Sequence, residues 1–268
     1  MSERRLKVLT INIWNRQGPW EERLALMRAG VLSLSPDVIG LQEVMSDGSH
    51  SLAHEIGDGT GYRTAFGNAR TLGGGIEFGN AVMSRFPFRR EEVVPLPSAD
   101  TDESRSLLLT ELDTPLGTLP FCVTHLAWRF HHGYVREQQV LAIARAFKDK
   151  VPVRDDMLPA ILVGDFNARP ESTEIRFLCG LHALEGTSFY LADSFDEVGE
   201  PPGHTYDPLN NPHAAFTHEA PRRIDYIFVR GPDRHGRGKP ISARVVLNEV
   251  VSGVAASDHY GVYAEIAM

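Results

Sequence analysis

Cysteine is scarce: the chain of 268 residues holds only Cys122 and Cys179. One pair cannot staple a framework, and Cys122, inside the apolar run LPFCVTHL, reads as a small core residue. No apolar stretch reaches the roughly 18 residues of a membrane span. The N-terminus MSERRLKVLTINIW is basic but lacks an uninterrupted apolar core and a small-residue cleavage site, so it does not read as a signal peptide. Positive charge is also short. With 27 Lys and Arg against 35 Asp and Glu the formal charge is −8, which argues against tight nonspecific binding to nucleic acid. Glycine and proline, 24 and 17 residues, supply many turns but are too few for a collagen-like or low-complexity chain. No solenoid repeat and no linker of domain-separating length is visible. These absences leave a soluble globular protein, expected to be cytoplasmic and monomeric, with one domain spanning 1–268 and a core it can bury unaided.

Short apolar runs alternate with helical patterns and glycine- or proline-marked turns. Strands are expected at 6–14, 37–44, 79–85, 105–112, 118–126, 160–167, 222–230, 241–250 and 259–267. Trp20, Leu24, Met27, Val31 and Leu34 recur at three- and four-residue steps before Pro36 and predict one helix. Val140, Ile143, Ala144 and Phe147 form the apolar face of a second, and a shorter helix is expected near 172–180. Late strands with few helices between them argue for mixed sheets packed face to face rather than a purely parallel sheet. The segment 199–221, rich in proline, asparagine and histidine, reads as a long loop expected to set substrate choice.

The apolar strands carry polar groups at particular places. KVLTINIW holds Asn12, VIGLQEV ends on Glu43, FCVTHL ends near His125, AILVGDFN ends on Asp165 and Asn167, RRIDYIFV holds Asp225, and Ser257-Asp258-His259 opens the last strand. Burying one uncompensated carboxylate costs several kcal/mol, so each must be paired, hydrogen-bonded or metal-bound. Any single one could be a satisfied core polar group. Six together suit one chemistry, the hydrolysis of phosphate esters. That chemistry needs oxygen ligands for a hard cation, a carboxylate to activate water, and donors for phosphoryl oxygens. Asp165 and Asn167, two apart on an extended segment, should point to one side, and Asp225 with His259 makes an Asp–His pair for proton transfer.

These blocks resemble the endonuclease/exonuclease/phosphatase superfamily, the deoxyribonuclease I-like phosphoesterases. TINIW (10–14), LQEV (41–44), GNAVMSRFP (79–87), VTHLAW (123–128), GDFNARP (164–170), RRIDYIFV (222–229) and SDHYGV (257–262) stand in the family's order. The resemblance implies an α/β (α+β) four-layered sandwich, two packed mixed sheets flanked by helices. It implies Glu43 as principal metal ligand, with Asn12 and Asp258 completing the metal site, and Mg²⁺ as cofactor with Mn²⁺ able to substitute. Asp165 is implied to activate water, Asn167 and His125 to hold phosphoryl oxygens, and Asp225 and His259 to form the pair at the phosphate.

Other residues carry weaker signals. Arg105 and Trp128 are candidates for substrate contact, Arg136 and Gln139 for tying a helix to the site, and His131 and His132 read as exposed loop histidines. SRFP (84–87) reads as a turn, and Gly73-Gly74-Gly75 as a flexible turn at the mouth of the site. The expected function is divalent-metal-dependent hydrolysis of a phosphoester, most simply a phosphodiester: nucleic acid, a phospholipid headgroup or a small ester. A phosphomonoesterase for a sugar or inositol phosphate is the alternative. A catalytically silent binding module is disfavoured because no expected catalytic position is missing. No stable membrane insertion is expected.

Overall fold

The computed structural model describes residues 4–268. Strands are numbered β1 to β14 and helices α1 to α5 in chain order. The first six-stranded sheet runs β11 (Pro240–Val246), β14 (Gly261–Ala267), β1 (Arg5–Asn12), β2 (Val38–Ser46), β4 (Glu77–Ser84), β3 (Arg63–Thr71). The second runs β5 (Phe88–Leu96), β6 (Arg105–Thr114), β7 (Gly117–His125), β8 (Ile161–Asp165), β10 (Asp225–Val229), β9 (Ala192–Asp193). The ladders β1–β2 and β7–β8 are parallel and the other pairs antiparallel, so both sheets are mixed. A hairpin, β12 (Val250–Val251) with β13 (Val254–Ala255), lies outside them.

Alternation along the strands builds the layers. In β1, Leu6 and Val8 join Val38, Val123, Val163, Ile227 and Val262 in the core between the sheets. The opposite face of the first sheet, with Leu9, Ile11, Ile39 and Leu41, takes Trp20, Met27 and Val31 of α1 (Trp20–Leu34) and Leu52 and Ile56 of α2 (Leu52–Gly57). The outer face of the second sheet, with Leu107, Leu109, Cys122 and Leu162, is covered by Val140, Ile143 and Phe147 of α3 (Gly133–Lys150) and by α4 (Thr173–Leu178). The result is the expected four-layered sandwich. A fifth helix, α5 (Ser194–Val198), follows β9. No helix among the described residues is long and apolar enough to cross a membrane.

β3 and β5 were absent from the sequence expectation, as were α2 and α5. β3 and β5 are edge strands, and β5 alternates partly buried with exposed residues and carries Pro95, so neither shows the apolar run of a central strand. The expected strand 6–14 ends at Asn12 because Trp14 and Asn15 adopt left-handed backbone, φ 54° and 36°.

Candidate active site

The core between the sheets is apolar at one end and polar at the other. In the second sheet Val123, Val163 and Ile227 are cross-strand neighbours; two positions away along each strand, so are His125, Asp165 and Asp225. Residues two apart share a face, so three polar residues distant in sequence form a single row on the inner face. Asn12, at the end of β1, faces them from the first sheet: its Nδ2 donates to Asp165 Oδ2 at 3.0 Å and to Glu43 Oε1 at 3.4 Å.

Two conformations aim the side chains. The β2–β4 ladder shifts register between Leu41 and Val44, and Glu43 sits in this bulge at φ 59°. A bulge re-aims a side chain at the cost of strain in a non-glycine residue. Asn167 sits at φ 49°, so the segment after β8 turns rather than staying extended as the sequence suggested. The turn is closed by Asn167 N–H donating to Asp165 Oδ1 at 2.9 Å, and Asn167 Nδ2 lies 3.1 Å from His125 Nε2.

His259 Nδ1 bonds Asp225 Oδ2 at 2.9 Å, and its Nε2 lies 3.7 Å from Asp165 Oδ2. Burial alone would lower its pKa, but Asp225 and Asp165 outweigh that and hold His259 well above the ordinary histidine value. His125 goes the other way: burial, Arg105 and His259 push it well below. Arg105 Nη1 lies 3.3 Å from His125 Nδ1. Donors thus flank both ring nitrogens, Arg105 at Nδ1 and Asn167 at Nε2, and Nε2 also lies 3.4 Å from Asp165 Oδ2. Burial raises Asp165 to about 6, with His259 pulling it down and Asp225 pushing it up.

Asp165, Asp225 and His259 offer ligand atoms within 4.8 Å of one another and could hold a metal ion. The hydrogen bond between Asp225 and a cationic His259 already accounts for that closeness. Glu43 with Asp258 is a second acidic group that could hold a hard cation. Burial and the neighbouring Glu43 charge raise Asp258 to about 7, while the His259 cation, the Ser257 hydroxyl and Arg23 pull it down. Two neighbouring carboxylates are an oxygen-donor set that a divalent ion could neutralise. Glu43, Asp258 and Asn167 are also only partly buried, whereas Asp165, Asp225, His125 and His259 form a buried floor. Asn12, expected among the metal ligands, also acts through both ends of its amide. Its oxygen accepts from Trp14 N–H at 3.0 Å, and its Nδ2 bridges Glu43 and Asp165 as a donor.

Arg105 is buried and paired with Glu103 Oε2 at 3.3 Å as well as with His125, so it supports the histidine from behind. His132 is not exposed as expected. It is buried, its Nδ1 2.6 Å from Glu103 Oε1, and Glu103 Oε2 accepts from Trp128 N–H at 2.9 Å. Gln139 Oε1 accepts from Ala127 N–H at 3.0 Å, and Arg136 reaches Glu174, Ala127 O and Arg129 O, so both tie α3 to the site. Residues 84–87 turn after β4 as expected, and Gly73–Gly75 forms an exposed turn.

Several supporting residues were given no role by the sequence. Asn15 Nδ2 donates to Glu43 Oε2 at 3.0 Å. Arg23, fully buried in α1, bonds Ile13 O, Asn15 O and Gln17 O. Ser257 Oγ donates to Asn12 O at 2.7 Å. The long loop, expected to set substrate choice, also carries structural contacts. Thr205 Oγ1 accepts from Ile224 and Asp225 N–H, and Asn211 Nδ2 donates to Ser257 O, so its buried half braces the site.

The model of the Endonuclease/Exonuclease/phosphatase family matches residues 9–259. The chain belongs to this family. Its members are metal-dependent phosphoesterases, and the chain is a metal-dependent phosphoric ester hydrolase of the same fold. No curated protein matches it by sequence. An endonuclease/exonuclease/phosphatase from Beutenbergia cavernae is 28% identical, covering 99% of this chain and 72% of that one, with TM-score 0.70. TDP2 from D. rerio, complexed with single strand DNA product, is 20% identical over 98% of this chain and 99% of that one, TM-score 0.75. The human Nocturnin catalytic domain with bound sulfate anion is also 20% identical, over 98% and 93%, TM-score 0.73. The two likenesses at 20% speak for the fold.

Proposed function

We propose that this family member hydrolyses a phosphodiester, with Mg²⁺ as its cation and Mn²⁺ able to replace it. The observation that carries the reading is the row His125–Asp165–Asp225 on the second sheet, closed by His259 and faced by Asn12 and Glu43. Glu43 and Asp258 hold the cation, which when bound offsets their charge and polarises a phosphoryl oxygen. Asp165, positioned by Asn12 and by the Asn167 N–H, orients the attacking water and accepts its proton. Asn167 and the neutral His125 donate to phosphoryl oxygens. His259, kept cationic by Asp225, donates from Nε2 to the oxygen on which negative charge develops.

Two measurements test this. EDTA should abolish hydrolysis of bis(p-nitrophenyl) phosphate, and added Mg²⁺ or Mn²⁺ should restore it. Asp165→Asn keeps the side-chain shape but cannot accept the proton, so kcat should fall by about 10²–10⁴-fold with KM little changed. A variant with normal kcat and a tenfold higher KM moves Asp165 from chemistry to binding. Preference for p-nitrophenyl phosphate over the diester reassigns the enzyme to monoesters.

A further inference from the structure

We propose that Trp128 and Phe130, with Arg222, form a stacking subsite for one unpaired nucleobase beside the scissile phosphate, a proposal that rests on the phosphodiesterase reading above. Both rings lie in the connection from β7 to α3 and stay open to solvent, Trp128 57% and Phe130 66% exposed. Two large aromatics more than half exposed beside a catalytic row leave surface for a partner.

Their backbone, by contrast, is fixed. Gln139 holds Ala127 N–H, Arg136 holds Ala127 O and Arg129 O, and Glu103 holds Trp128 N–H. Rings presented from a rigid backbone pay little ordering cost when they bind. The patch is also continuous with the site. The His259 ring meets Tyr206 edge-on at 5.1 Å, the Arg222 guanidinium lies 5.0 Å from the Tyr206 ring, and the same guanidinium lies 4.9 Å from Phe130. On the other flank, Glu103 links Trp128 N–H to Arg105 and so to His125.

The charges on the patch choose among occupants. Arg222 stands over Phe130, and Arg129 lies 5.7 Å from Trp128. Cations already against these rings oppose the quaternary ammonium of a choline headgroup, whereas guanidinium planes and aromatic faces both stack on a base. A long polyanion is disfavoured as well. Arg129 is paired with Asp102, Arg222 with Glu219 and Arg169 with Glu171, in a chain of formal charge −8. Stacking without free cations suits one base next to the reacting phosphate, not a duplex held along its backbone.

Three esters with one leaving group test the subsite: thymidine 5′-(p-nitrophenyl phosphate), methyl p-nitrophenyl phosphate and p-nitrophenyl phosphorylcholine. The nucleoside ester should exceed the methyl ester in kcat/KM by about tenfold or more, mostly through KM, in line with base–aromatic stacking. Phe130→Ala and Trp128→Ala should each shrink that ratio, and Phe130→Trp should retain it. Tyr190→Ala, an exposed ring outside the patch, should leave it unmoved. Equilibrium dialysis of thymidine 5′-monophosphate should show the same order of affinities. A ratio near one in the unsubstituted protein, a ratio that both alanine variants keep, or preference for the phosphorylcholine ester overturns the subsite and leaves the diesterase reading standing. If none of the three is hydrolysed with Mg²⁺ or Mn²⁺, the diesterase reading fails and the subsite falls with it.

Discussion

Glu43 is held at both oxygens: Asn12 reaches Oε1 and Asn15 reaches Oε2. Fixing a carboxylate before it meets a cation removes the cost of ordering it afterwards. Glu43→Gln removes the charge that offsets the ion, so Mg²⁺ affinity, read by calorimetric titration without substrate, should fall together with the rate. Normal turnover in limiting Mg²⁺ removes Glu43 from the metal site. Asn15→Ala leaves the ligand in place but frees one oxygen, and a loss of about 10-fold in Mg²⁺ affinity is expected, with kcat at saturating metal largely kept. Unchanged affinity makes the Asn15 contact incidental. Glu43 stood out in the sequence because a carboxylate ending an apolar strand needs a partner. Asn15 did not. It is one polar residue in a polar turn, and its partner lies 28 positions on, so no spacing links them.

At the scale of the element, the strands that bear the site were legible because they are central. β1, β2, β7, β8 and β10 are buried along most of their length, and the polar row stands at one end of them. The edge strands β3 and β5 were not legible, since one flank of each is open and their polar residues resemble those of loops. Backbone conformation was hidden too. Nothing in LQEV spells a bulge, and nothing in GDFN spells a left-handed asparagine. Gly164 is the exception with a physical signature. At φ 153°, a Cβ there would lie 2.0 Å from Thr124 O, in the ladder directly beneath Asp165. Gly164→Ala must push β7 and β8 apart, so a loss above about 2 kcal/mol is expected by urea denaturation. Catalysis should suffer beyond that loss, because the His125–Asp165 register depends on the same ladder. A variant of unchanged stability shows that the strands can part cheaply.

Across the whole molecule, the site exists only where the two sheets meet, and the segment 199–221 clasps them there. Thr205 receives the N–H groups of Ile224 and Asp225, leading into the second sheet, while Asn211 grips Ser257 O, leading into the first. Ser257 in turn holds Asn12 O. Composition marked this stretch as a loop, and exposure is what composition predicts for polar residues. Thr205 and Asn211 are instead among the most deeply buried groups of the protein, because the strand ends they serve have backbone groups that must be satisfied. Replacing 203–218 with a short glycine-serine bridge therefore removes a tie between sheets, not a specificity filter. Activity should be lost alike on a small activated diester and on natural substrates, with a clearly lower melting temperature. Thr205→Val isolates the effect. It leaves two buried N–H donors without a partner, at a cost of about 1–3 kcal/mol for each, and should loosen the strand that carries Asp225. Asn210→Ala changes an exposed residue whose side chain bonds only Asp207 nearby, and should leave stability within about 0.5 kcal/mol. If the glycine-serine bridge instead re-ranks substrates while sparing the small diester, the segment is a specificity loop after all, and the clasp is dispensable.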